Sequence, residues 1–91
     1  MRLVEGFMLR KVLNEWIAVP CGDSALRMSG LISMNETGAF LFSALQQAHT
    51  EESLCALLLE TYDTTEEIAA EDVRRFIDRM RKANLLVEDT L

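Results

Sequence analysis

The sequence predicts an α+β fold, with a three-stranded antiparallel sheet at the N-terminus followed by three helices. Three observations predict it. Short runs of β-branched and aromatic residues, broken by turn residues, are confined to residues 7–34. From Asn35 onward the apolar period changes from that of a strand to that of a helix. The whole chain is 91 residues, which is one domain by length, with 88–91 as a loose tail.

Phe7 to Leu13 and Trp16 to Pro20 read as two strands about a tight turn at Asn14-Glu15. Ile17 and Val19 point to one face of the second strand, Trp16 and Ala18 to the other. Gly22-Asp23 is a turn signal, and Leu31 to Met34 makes a third short strand after Gly30. Ala25 to Ser29 are polar and give no start for that strand. Asn35 is an N-cap before Glu36, and helix 1 runs to about Ala48 with Ala39, Phe40, Leu41, Phe42 and Leu45 apolar. Gly38 in its first turn costs about 1 kcal/mol relative to Ala, so a packing reason is expected there, such as a close approach to another backbone. Thr50 caps helix 2, whose stripe is Leu54, Leu57, Leu58 and Tyr62. Asp63-Thr64-Thr65 breaks the pattern and caps helix 3, Glu66 to about Ala83. In helix 3 one arc holds Ala69, Val73, Phe76, Ile77, Met80 and Ala83, bordered by Arg74 and Arg81. Leu85-Leu86-Val87 ends the ordered part.

Several function classes are disfavoured. A formal net charge of -6 opposes an extended phosphate-binding surface. Cys21 and Cys55 have no metal or redox spacing and read as buried thiols of a cytoplasmic protein. No segment reaches the roughly 18 apolar residues of a membrane span, and Met-Arg-Leu-Val-Glu-Gly places an acid where a signal peptide turns apolar. The one histidine, His49, lies in a loop with no acid or cysteine beside it in sequence. The acids sit at helix starts and solvent faces, and no glycine-rich phosphate loop occurs. No catalytic site, metal site or cofactor is expected.

What remains is a binding constellation. A three-stranded sheet has two edges, and an extended peptide can add to one of them. Main-chain bonds give only about 0.5–1.5 kcal/mol each, so side-chain pockets are needed as well. Helix 3 supplies them through Ile77 and the adaptable Met80, flanked by Arg74 and Arg81. The competing reading makes the Val73 and Phe76 stripe plain core and the arginines a solvated face.

Leu31-Ile32-Ser33-Met34-Asn35-Glu36-Thr37-Gly38-Ala39-Phe40 resembles the PqqD family, above all in the Asn-Glu-Thr-Gly start of the first helix. The resemblance continues through Leu9-Arg10, Val19-Pro20, Leu45, Thr50, Glu52, Leu54, Tyr62-Asp63, Glu71-Asp72-Val73, Phe76 and Ala83-Asn84-Leu85-Leu86, in order and spacing. It implies a winged-helix-like fold and a RiPP recognition element, a peptide chaperone without catalysis. Such an element binds the leader of a ribosomal precursor peptide as an added strand and presents it to a modifying enzyme, often a radical SAM maturase. Carried onto this chain, the added strand lies along Leu31, Ile32, Ser33 and Met34, and the groove wall is Val73, Arg74, Ile77, Met80 and Arg81. The resemblance also makes Asn35 to Gly38 a structural helix start. An alternative is a winged-helix DNA-binding regulator, because Arg74, Arg75, Arg79, Arg81 and Lys82 cluster on helix 3; the acidic total opposes it. A partner domain of a larger enzyme, with no peptide groove, is a third reading. The open sheet edge also permits a strand-mediated homodimer.

Overall fold

The structure, a computed structural model, describes residues 1–22 and 32–88. Its strands are β1 (Arg2–Leu3), β2 (Phe7–Val12), β3 (Glu15–Pro20), β4 (Ile32–Met34) and β5 (Leu86–Val87), and its helices are α1 (Glu36–Ala44), α2 (Glu51–Thr61) and α3 (Glu66–Lys82). The chain divides into two compact units, Glu5–Ser43 and Met1–Val4 with Ala44–Leu91.

The first unit holds the expected sheet. β2, β3 and β4 pair antiparallel in that order. Met8, Arg10 and Val12 face one side of β2, paired with Val19, Ile17 and Glu15 of β3. On the opposite side the Phe7 and Phe42 rings meet edge-on at 6.0 Å, a favoured aromatic geometry. Lys11 Nζ lies 5.8 Å from the centre of the Trp16 ring. The hairpin base is closed by the Cys21 amide, which donates to Gly6 O at 2.7 Å.

The turn falls one residue earlier than expected. Val12 pairs with Glu15, so Leu13 and Asn14 form the loop. Leu13 takes the left-handed conformation at φ 58°, where Asn would have been favoured. The register forces this, since a one-residue slip would turn every strand side chain over. Gly22 at φ 59° supports the turn expected there. Asp23, the Ala25 to Ser29 stretch and Leu31 lie outside the described residues.

The second unit is built on α2 and α3. Thr50 and Ser53 form a capping box on α2: the Thr50 hydroxyl accepts from the Ser53 amide at 3.0 Å, and Ser53 Oγ from the Thr50 amide at 2.9 Å. Thr65 caps α3 by accepting from the Ile68 amide at 3.2 Å. Glu66 and Glu67 open α3 and Arg79, Arg81 and Lys82 close it, each at the favourable end of the helix dipole. Leu54, Leu58, Ala69, Val73, Phe76, Ile77 and Met80 are buried; Leu57 and Tyr62, expected beside them, are half-buried.

Two expectations need correction here. Helix 1 stops at Ala44, four residues short of Ala48. Continuation would require the His49 amide to bond to Leu45 O. Instead that amide donates to Met1 O at 2.8 Å, and Leu45 O accepts from the Leu3 amide at 2.8 Å. The N-terminal strand has taken both groups. That strand, β1, also pairs antiparallel with β5, Arg2 opposite Val87 and Leu3 opposite Leu86. The terminal segment is therefore a two-stranded ladder, and Glu88, placed in the loose tail, is held in an ion pair with Arg81.

Candidate functional site

The strand half of the expected site is β4. It lies at the end of the sheet order, with β3 on one side. Ile32 and Met34 are buried and Ser33 is exposed, so the strand alternates as one sheet edge should. Its position is fixed by the joint to α1. Asn35 Oδ1 accepts from the Gly38 amide at 2.8 Å, which caps the helix. A Cβ on Gly38 would sit 3.1 Å from Met34 Cβ and 3.2 Å from Asn35 Oδ1. Glycine thus lets the first helical turn close on the Met34 and Asn35 side chains, a packing reason for Gly38 that involves side chains and not the backbone the sequence suggests. Asn35-Glu36-Thr37-Gly38 is a joint between strand and helix.

The helix half divides by burial. Val73, Ile77 and Met80 are at most 1% exposed. Arg74 and Arg81 face solvent. The apolar members of the expected wall are therefore closed in by the protein itself, and the two arginines are the accessible ones. An open groove of about 340 Å³ lies between Glu51 at the start of α2 and the Glu71, Arg74, Arg75, Ile77, Asp78 and Arg81 positions of α3. Three of the nine expected residues, Arg74, Ile77 and Arg81, line it together.

Charge in this region is mostly paired. Arg75 bonds Glu71, Lys82 Nζ lies 2.9 Å from Asp78, and Arg81 grips Glu88 through Nη2 at 2.5 Å and Nε at 3.3 Å. The Arg81 hydrogen bond holds the Glu88 carboxyl below its usual range. Glu88 in turn holds the Arg81 guanidinium more firmly charged. Burial, with Glu51 and Glu52 nearby, pushes the Cys55 thiol up, so it stays protonated at neutral pH. His49 Nδ1 lies 3.0 Å from Ser53 Oγ. Among the described residues no group of three or more His, Cys, Asp or Glu is placed to hold a metal ion, and no helix is long and apolar enough to cross a membrane. Sequence reasoning missed Glu51 and Glu88 as parts of this region.

A three-stranded antiparallel sheet followed by three helices is an architecture this chain shares with a solved structure described as TbiB1 in complex with the TbiA(beta) leader peptide. The TM-score is 0.71 at 13% identity, over 100% of both chains. No curated protein matches the sequence. The family described as coenzyme PQQ synthesis protein D (PqqD) matches residues 24–86. The chain belongs to the PqqD family.

Proposed function

We propose that this protein is a non-catalytic recognition element that binds the leader segment of a ribosomally made precursor peptide. The observation that carries the reading is the edge position of β4 in a member of the PqqD family. The match in fold to a protein solved with a leader peptide supports it. The peptide adds antiparallel or parallel to β4 along Ile32–Met34. A modifying enzyme, of the radical SAM type in our reading, receives the peptide. The setting is cytoplasmic, in keeping with two thiols that are free.

Magnitudes say what each part must do. Three or so new main-chain bonds contribute about 2–4 kcal/mol net. Micromolar binding needs about 8 kcal/mol. Side-chain contacts must supply the difference, and in our reading the exposed Arg74 and Arg81 of α3 are the candidates. A duplex-binding role finds little support in a chain of formal net charge -6. The same sheet edge also admits a second copy of the chain, so binding is measured at protein concentrations where sedimentation shows a monomer.

The test is a titration of ¹⁵N-labelled protein with synthetic peptides covering the leader halves of precursor peptides encoded beside it. The expected result is amide shifts concentrated in Ile32 to Met34 and in α3. Shifts confined to α1 or α2 would move the site elsewhere. If no peptide shifts any amide, the protein is not a leader binder.

A further inference from the structure

α3 ends in a way that brings an acid back to the helix. The Asn84 amide donates to Arg81 O at 3.1 Å and the Leu85 amide to Met80 O at 3.0 Å, with Asn84 at φ 61°. This is a Schellman turn with asparagine in the left-handed position. The chain reverses there, β5 pairs with β1, and the next residue is Glu88. Its carboxylate takes the Arg81 fork with both oxygens, Nε to Oε2 and Nη2 to Oε1.

The groove lining carries three arginines and three acids, and two of those acids are taken by neighbouring bases. Arg75 is committed to Glu71, and Asp78 to Lys82. Arg74 makes no hydrogen bond or ion pair among the described residues, and Arg81 is matched only by Glu88 from outside the lining. Glu51 is the remaining acid on the lining. With Glu88 in place the charges balance; with Glu88 displaced, the guanidinium groups of Arg74 and Arg81 face the single carboxylate of Glu51. Buried Ile77 closes the floor between them.

We propose that this groove is a carboxylate subsite that takes an acidic side chain of the bound peptide, and that Glu88 occupies its Arg81 fork until the peptide arrives. The proposal rests on the leader-binding reading above and names the chemistry it selects. Guanidinium forks accept carboxylate and phosphate alike. Here the resident partner is a carboxylate, and Glu51 on the lining disfavours a doubly charged phosphate. The Arg81 and Glu88 side chains are 51% and 46% exposed, and so exposed a pair is weak enough for a second carboxylate to displace.

Two arms test it on the full chain. In the first, arginine Nε–Hε signals are followed while N-acetylglutamate N-methylamide is added, with the glutamine analogue and inorganic phosphate as comparisons. The glutamate probe should move the Arg74 and Arg81 signals, and Glu88→Gln should bind it roughly two- to fivefold tighter than the parent. Arg81→Gln should abolish the gain. Equal responses to the glutamine analogue, tighter binding of phosphate, or no difference between Glu88→Gln and the parent each overturn the proposal. In the second arm, any peptide that shifts the β4 amides is remade with its acids as amides. Loss of affinity in the parent, and of the Glu88→Gln gain, is expected. Unchanged affinity overturns the subsite while leaving strand addition intact. If no peptide engages β4, strand addition fails and the glutamate probe alone decides the subsite.

Discussion

Two asparagines sit at helix ends in this protein and do opposite jobs. Asn35, ahead of α1, works through its side chain: Oδ1 accepts the Gly38 amide. Asn84, behind α3, works through its backbone: φ 61° turns the chain while its amide and that of Leu85 satisfy the last carbonyls. The first joint fixes where β4 lies, and the second fixes where Glu88 lands. The side-chain cap depends on an oxygen that the residue carries, and the left-handed turn on how readily the residue tolerates a positive φ. The same substitution should therefore have different consequences at the two joints.

The largest expected effect is at the first joint. Gly38→Val should lose about 3 kcal/mol in urea denaturation, near the upper end of overpacking, because the Cβ meets Met34 Cβ and the cap oxygen itself. Peptide binding at β4 should fall with it. A loss under 1 kcal/mol would mean the joint is looser than the contacts imply. Asn84→Val should cost about 1–2 kcal/mol, because a β-branched side chain lacks asparagine's tolerance of the left-handed region. It should also shift the Arg81 Nε–Hε signal as Glu88 loses its place. Next in size, Asn35→Ala should cost about 1 kcal/mol, with Asn35→Asp close to neutral. Asn84→Gly should be neutral or slightly stabilising, whereas Asn35→Gly should lose a few tenths of a kcal/mol. Equal behaviour of glycine at the two positions would break the comparison.

The smallest effect is a titration. The folded-state value of Glu88 is lowered, so its pairing is fully present above the ordinary carboxyl value of 4.5 and is lost as pH falls through the lowered one. The Glu88 side-chain carbon signal should therefore titrate below 4.5 in the parent and rise in Arg81→Gln. Identical midpoints would remove the ion pair from the second joint.

Legibility in the sequence followed the range of the forces involved. The sheet, the caps at Asn35, Thr50 and Thr65, and the α3 stripe rest on residues a few positions apart, and the sequence carries them plainly. The end of α1 does not, because β1 draws off the groups that would extend the helix, and a two-residue strand has no period to read. The hairpin turn was displaced because register overrode the turn preference of Asn14. In the site, periodicity placed Val73, Ile77 and Met80 on one face but could not say that the protein itself would cover them. Glu88 stayed hidden because its contact with Arg81 exists only after the chain reverses at Asn84.

The pairing of β3 with β4 has an optical consequence. Trp16 is the only tryptophan in the chain, and it stands opposite Met34 in the ladder with the Lys11 ammonium near its ring. A strand added to β4 would change the surroundings of an indole one strand away. The protein thus carries its own fluorophore next to the edge where a ligand is expected, and its emission can follow occupancy of that edge with no dye attached.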